Sequence, residues 1–169
     1  MFVLAEQLHA GGEPNEPWRR YSEYLTLHKD RFPVSAYDLA TGPLLDVSDP
    51  RCPHDAWLEW ARFEEPAEGS RNEIRHLSLR IRLLGANHDR YIELFYPKVH
   101  AYTLENPRSE AGHFDWRYSE LRLTDAGSIL HEIEWAGPPG ARARWLIEAS
   151  DVSLRTISLP KTRRNSTSS

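Results

Sequence analysis

Apolar positions recur at helical spacing in the first part of the chain and at every second residue from about residue 55 onward. Trp18, Tyr21, Leu25 and His28 lie three or four residues apart, as on one face of a short helix. Asn15 stands where a cap belongs, and Pro17 falls in the first turn, where a missing N–H costs nothing. Residues 30–33 break that helix. A second short helix is expected over 33–40, with Val34, Tyr37 and Leu39 inward, until Thr41-Gly42-Pro43 stops it. Residues 1–14 carry little pattern and end in the turn signal Gly11-Gly12-Glu13-Pro14, while 46–53, with two prolines and two aspartates, is a loop.

The change of period falls in residues 53–65, where a polar His54-Asp55 corner opens a run loaded with Trp57, Leu58, Trp60 and Phe63. Over 73–84 the odd positions Leu77, Leu79, Ile81 and Leu83 are apolar and the even ones polar, which predicts a strand with one wet face. Residues 91–96 are apolar on both faces except Glu93, as in a central strand. Pro97 removes one ladder hydrogen bond, so a bulge or an edge is expected before a strand over 99–104. Strands over 116–124 and 128–135 flank Asp125-Ala126-Gly127, hairpin chemistry that uses the positive φ open to glycine. Gly137-Pro138-Pro139-Gly140 turns the chain again, Trp145, Ile147 and Ala149 alternate with Arg144, Leu146 and Glu148, and a last strand is expected over 152–159. This pattern predicts a mainly β (α+β) protein: an antiparallel meander curled into a sandwich or open barrel, with one or two short N-terminal helices. It reads as one domain over 1–160, helical over 15–41 and β over 55–159, followed by a polar tail at 161–169.

The totals narrow the classes. A chain of 169 residues buries about two thirds of its unfolded surface as one domain. Six Trp and seven Tyr against one Met suit pleated, sheet-built cores. The single Cys52 cannot form an internal disulfide or a cysteine zinc site. The apolar start 1–5 lacks the basic flank of a signal peptide, and no apolar run reaches the length of a membrane span, so a cytoplasmic protein away from the membrane is expected. A net charge of −4 speaks against nucleic acid as a partner.

Candidate chemistry is thin. His54-Asp55, His88-Asp89 and His113 with Asp115 are the close His/Asp pairs; adjacent residues on a strand point to opposite faces, and His113 and Asp115, which could share one, sit at a loop end, so no metal and no other cofactor is expected. His54-Asp55 is half of a triad without a nucleophile elbow, and Cys52 is badly placed to serve. Its expected role is structural, with Asp55 accepting backbone N–H bonds at the start of the strand and His54 donating to a carbonyl. Glu93, Glu132 and Glu134 are expected on a solvent-facing sheet surface, while Trp57, Trp60, Trp135 and Trp145 are expected in the core. Tyr96, Tyr102, Trp116 and Tyr118 gather around the Pro97 break, where burial is harder, and with those glutamates they suggest a protein-binding patch.

One order of motifs adds to this. Tyr21, Tyr24 and Leu25 form a Tyr-x-x-Tyr-Leu helix, followed by Phe32-Pro33, then His54-Asp55-Ala56, then the strand Ile92-Glu93-Leu94-Phe95-Tyr96 leading to Val99. His131-Glu132-Ile133 and Glu148-Ala149-Ser150-Asp151-Val152 close the series. Over 18–157 this resembles the small β-rich immunity-protein-like domains of bacterial polymorphic-toxin systems; the longer N-terminal extension and the polar tail depart from them. The resemblance implies a cytoplasmic, non-enzymatic protein that binds and neutralises a cognate toxin. The alternative is a hydrolase or small-ligand binder at the mouth of the sheet, using His54, His131 and nearby glutamates.

Overall fold

The computed structural model describes residues 1–10, 13, 15–107, 110, 112–138 and 140–160; the expected tail 161–169 and parts of the turns at 11–14 and 137–140 lie outside them. Three helices come first: α1 (Ala5–Leu8), α2 (Glu16–His28) and α3 (Val34–Thr41). Pro17 sits in the first turn of α2, but the Asn15 side chain makes no capping bond. The short 3₁₀ turn Lys29–Arg31 and Pro33 separate α2 from α3. In α3 it is Ala36, Leu39 and Ala40 that are buried, whereas Val34 points to solvent. The one-turn α1 had no signal in the apolar pattern, being four residues long.

Ten strands follow: β1 (Trp57–Glu64), β2 (Ala67–Glu68), β3 (Ile74–Arg75), β4 (Ser78–Leu84), β5 (Arg90–Tyr96), β6 (Val99–Leu104), β7 (Asp115–Leu123), β8 (Ile129–Gly137), β9 (Ala141–Ala149) and β10 (Ser153–Ser158). Eight form one antiparallel sheet in the order β10-β5-β4-β1-β7-β8-β9-β6, which is not closed into a barrel. The order is not a simple meander. After β5 the chain leaves its neighbours and pairs β6 with β9 at the far edge, so the break at Pro97 marks a change of sheet half.

The sheet is folded at the join of β1 and β7, which are held by a single register pair, Trp57 opposite Asp115. Beside it the Asp55 N–H donates to the Trp116 carbonyl at 2.8 Å, and the Trp116 N–H to the Ala56 carbonyl at 2.9 Å. The halves then diverge and share one core. The first layer contributes Leu79, Ile81, Leu83, Ile92, Leu94 and Tyr96; the second contributes Trp116, Leu121, Ile133, Trp135, Trp145 and Ile147. Tyr96 of β5 meets His131 of β8 across this core. The chain crosses between layers twice, at 97–98 and 150–152, and the Ser150 N–H donates to the Lys98 carbonyl at 2.8 Å.

Past its bridge to β1, the edge of β7 has no strand beside it among the described residues, yet buried backbone polar groups must be paired. Helix α2 does this. The Tyr21 hydroxyl accepts the Leu121 N–H at 2.7 Å and donates to the Leu121 carbonyl at 3.0 Å, and the Tyr24 hydroxyl accepts the Leu123 N–H at 2.8 Å. In the β7–β8 hairpin Gly127 takes φ +83°, as its turn requires. At Gly137 any side chain would run into the Phe114 ring. Among the described residues no helix is long and apolar enough to cross a membrane.

Candidate partner-binding face

The three glutamates expected on one wet surface occupy two separate faces, and all are buried. On the outer face of the second layer, Glu120, Glu132 and Glu134 stand together because Glu120 is opposite Glu132 and Tyr118 opposite Glu134. The N-terminal segment lies over them. Glu120 accepts the N–H groups of Phe2 (2.7 Å) and Val3 (2.9 Å), and Glu134 accepts that of Ala5 (3.1 Å). Guanidiniums complete the cover: Arg122 pairs with Glu120 and Glu132, Arg144 with Glu132, and Arg142 with Glu134. A buried carboxylate needs such partners, and these three are engaged as structural groups.

Glu93 belongs to the first layer, where Arg82 Nε reaches Oε1 at 2.8 Å and Arg155 Nε reaches Oε2 at 2.6 Å. Burial alone would raise its carboxyl; the two guanidiniums outweigh that and hold it below the usual carboxylate range.

The aromatic set divides in the same way. Tyr96 and Trp116 are core residues, so they leave the proposed patch. Burial raises the Tyr96 phenol and pushes His131 down to about 3, which keeps both neutral across their 2.7 Å hydrogen bond. Tyr118 is half-buried, edge-on to His54. Tyr102 remains at the surface, 51% exposed, its ring 4.5 Å from that of Phe63.

Asp55 differs from expectation. Its carboxylate meets Arg117 Nη1 at 2.9 Å and His54 Nδ1 at 3.3 Å, and its backbone takes φ +60°. The His54-Asp55 corner therefore ties to β7 through a guanidinium and through the Asp55 N–H, not through N–H groups bound by the Asp55 side chain. Its neighbour Cys52 is half-buried, and burial raises its thiol, so the sulfur is a poor nucleophile. His113 packs between Trp135 and Trp145, and burial lowers its pKa. Among the described residues no three His, Cys, Asp or Glu side chains are arranged to hold a metal ion.

What remains open is the outer face of the first layer, where the register aligns three rows across β1, β4, β5 and β10. One row runs Trp57, Leu84, Tyr91, Ile157; the next Trp60, Arg82, Glu93, Arg155; the third Arg62, Arg80, Phe95, Ser153. Trp57 and Trp60 were expected in the core. A bulge between Leu58 and Trp60 shifts the alternation, so that Leu58, Ala61 and Phe63 stand opposite the inward residues of β4. Trp57 is 49% exposed, held by a 2.9 Å bond from Nε1 to Asp115 and by the His88 ring at 4.7 Å.

Guanidiniums lie over the other rings of this face. Arg62 and Arg82 sit 5.1 and 4.9 Å from the Trp60 ring, Arg82 also 4.9 Å from Tyr91, and Arg80 4.1 Å from Phe95. These contacts are invisible in the sequence, since Trp60 and Arg82 come together only once the register is known. The strict alternation of Arg80 and Arg82 against Ile81 and Leu83 was the one available signal. Close to Trp57 is a cavity of about 390 Å³ lined by Leu58, His113, Phe114, Asp115 and Pro138. His88, whose ring lies against Trp57, and Phe114, which lines the cavity beside it, take φ of 53° and 63°, a conformation that non-glycine residues adopt at a cost. Comparison with protein-family models, with characterised proteins and with solved structures finds no match to this chain.

Proposed function

We propose that this protein is a non-enzymatic binding protein that holds and neutralises a cognate bacterial toxin, as immunity proteins do, and that the outer face of the first layer is its contact surface. The observation that carries the reading is the half-exposed Trp57, fixed by Asp115 and His88 at the border of a sheet face made of Trp60, Tyr91, Phe95 and four arginines. Tryptophan, tyrosine and arginine dominate the energetics of protein interfaces, because each combines large apolar contact with a polar handle. A side chain held in place before binding also loses less conformational freedom on contact. The motif order over 18–157 supports the same reading. The hydrolase alternative draws no such support, since His131 is enclosed in the core and the glutamates near it are spent on guanidiniums and backbone N–H groups.

The test is co-expression with the toxin encoded beside its gene. Growth should be rescued by the wild-type chain and lost with Trp57→Ser, while that variant keeps the wild-type unfolding free energy to within roughly 1 kcal/mol, as befits a half-exposed side chain. A wild-type chain that neither rescues growth nor binds the purified toxin refutes the proposal.

A further inference from the structure

Across the outer face of the first layer, Arg62 of β1 stands directly opposite Arg80 of β4. Like charges opposite one another on a sheet face are destabilising, and the other charges of this face do not relieve this pair. Arg82 and Arg155 are both committed to Glu93. Among the described residues Arg80 has only Glu64, at 3.8 Å, and no carboxylate pairs with Arg62. Both guanidiniums lie over rings, Arg62 over Trp60 and Arg80 over Phe95. A planar fork held in this way matches a carboxylate in two-point geometry.

We infer that the partner meets Arg62 and Arg80 with carboxylates, so that this face binds an acidic protein surface; the inference rests on the binding reading above and adds its chemistry. Phosphates would satisfy the same donors, but two features favour protein. The rings on which a base would stack, Trp60, Tyr91 and Phe95, are already covered by guanidiniums. The chain also carries a net charge of −4, which repels a long polyanion while leaving a local pair of carboxylates free to dock. Trp57, two rows away on the same face of β1, supplies the apolar contact.

The probes are a glutamate-rich peptide and an oligothymidylate, each titrated into the full chain and followed by backbone amide signals. The peptide should move signals of β1 and β4, with affinity falling several-fold from low to physiological salt. The double variant Arg62→Gln/Arg80→Gln should weaken peptide binding by roughly tenfold or more and melt at or above the wild-type temperature, because it removes a repulsion. Peptide binding unchanged in that variant, or no peptide binding to the wild type, overturns the inference. Tighter binding of the oligothymidylate at the same residues also overturns it, in favour of nucleic acid. With the toxin in hand, neutralisation lost in Trp57→Ser but intact in Arg62→Gln/Arg80→Gln would overturn the inference alone and leave the binding reading standing.

Discussion

Tyr21→Phe removes one oxygen and strands two backbone groups. The Tyr21 side chain is fully buried, and among the described residues its hydroxyl is the partner that the Leu121 N–H and C=O find on the open edge of β7. Burial raises the phenol well above its ordinary value, so it stays protonated and able to donate throughout the working pH range. Phenylalanine fills the same space, so no cavity term enters. An unsatisfied buried polar group costs about 1–3 kcal/mol. Two of them, the carbonyl being the more tolerant, give a loss of roughly 2–4 kcal/mol, or about 4–16 °C in melting temperature at this chain length. Tyr24→Phe is the control. It frees only the Leu123 N–H, at a half-buried site, and should cost about 0.5–1.5 kcal/mol. Urea titrations with a common m-value measure both, and hydrogen exchange at Leu121 reports whether the edge itself has loosened. A loss below about 0.5 kcal/mol for Tyr21→Phe would refute the view that α2 stands in for a strand; so would equal losses for the two variants.

Three further outcomes are expected. His131 is held near pKa 3 from an ordinary 6.5, so the unfolded chain takes up its proton first and stability falls as pH drops from about 6.5 towards 3, by up to about 1.4 kcal/mol per pH unit; urea midpoints at neutral and mildly acid pH should fall less steeply for His131→Leu, and equal slopes would refute the assignment. Asp55 sits at φ +60°, so Asp55→Ala should cost about 1 kcal/mol in backbone strain while Asp55→Gly is neutral or better, and a glycine variant less stable than the alanine one would contradict this. Glu120→Gln weakens charge-assisted bonds from the N–H groups of Phe2 and Val3 and should cost about 1.5–3 kcal/mol, with faster amide exchange at those two residues as its local sign.

Period and turn chemistry made most of the strands readable. Gly127, Pro97 and the alternation of Leu79, Ile81 and Leu83 each act within a few residues, and each marks a real boundary or face. Three things were not local. A bulge at Glu59 breaks the alternation of β1, so that Trp57 and Trp60, three residues apart, share the outer face instead of the core. The pairing of β6 with β9 depends on a crossing that no turn signal encodes. The burial of Glu120 and Glu134 depends on residues 2–5, more than a hundred positions away, whose weak pattern hides their role because they bind through backbone N–H groups. The candidate face was illegible for the same reason, since its rows are formed by register rather than by neighbours in sequence.

The paired crossings at 97–98 and 150–152 fix an order of assembly. Hairpins β4–β5, β7–β8 and β8–β9 close over short turns and can form as soon as each is made. Strand β5, however, finds its outer neighbour only in β10, with Glu93 meeting Arg155 across 62 positions. Until that strand has been synthesised, β5 offers a bare edge from Arg90 to Tyr96, loaded with Ile92, Leu94 and Phe95, to any other extended chain nearby. Folding of this protein should therefore pass through a stage at which two partly built half-sheets are present and the docking of β10 is slow, as long-range pairing dictates. A chain halted before Ser153 is the form most exposed to aggregation.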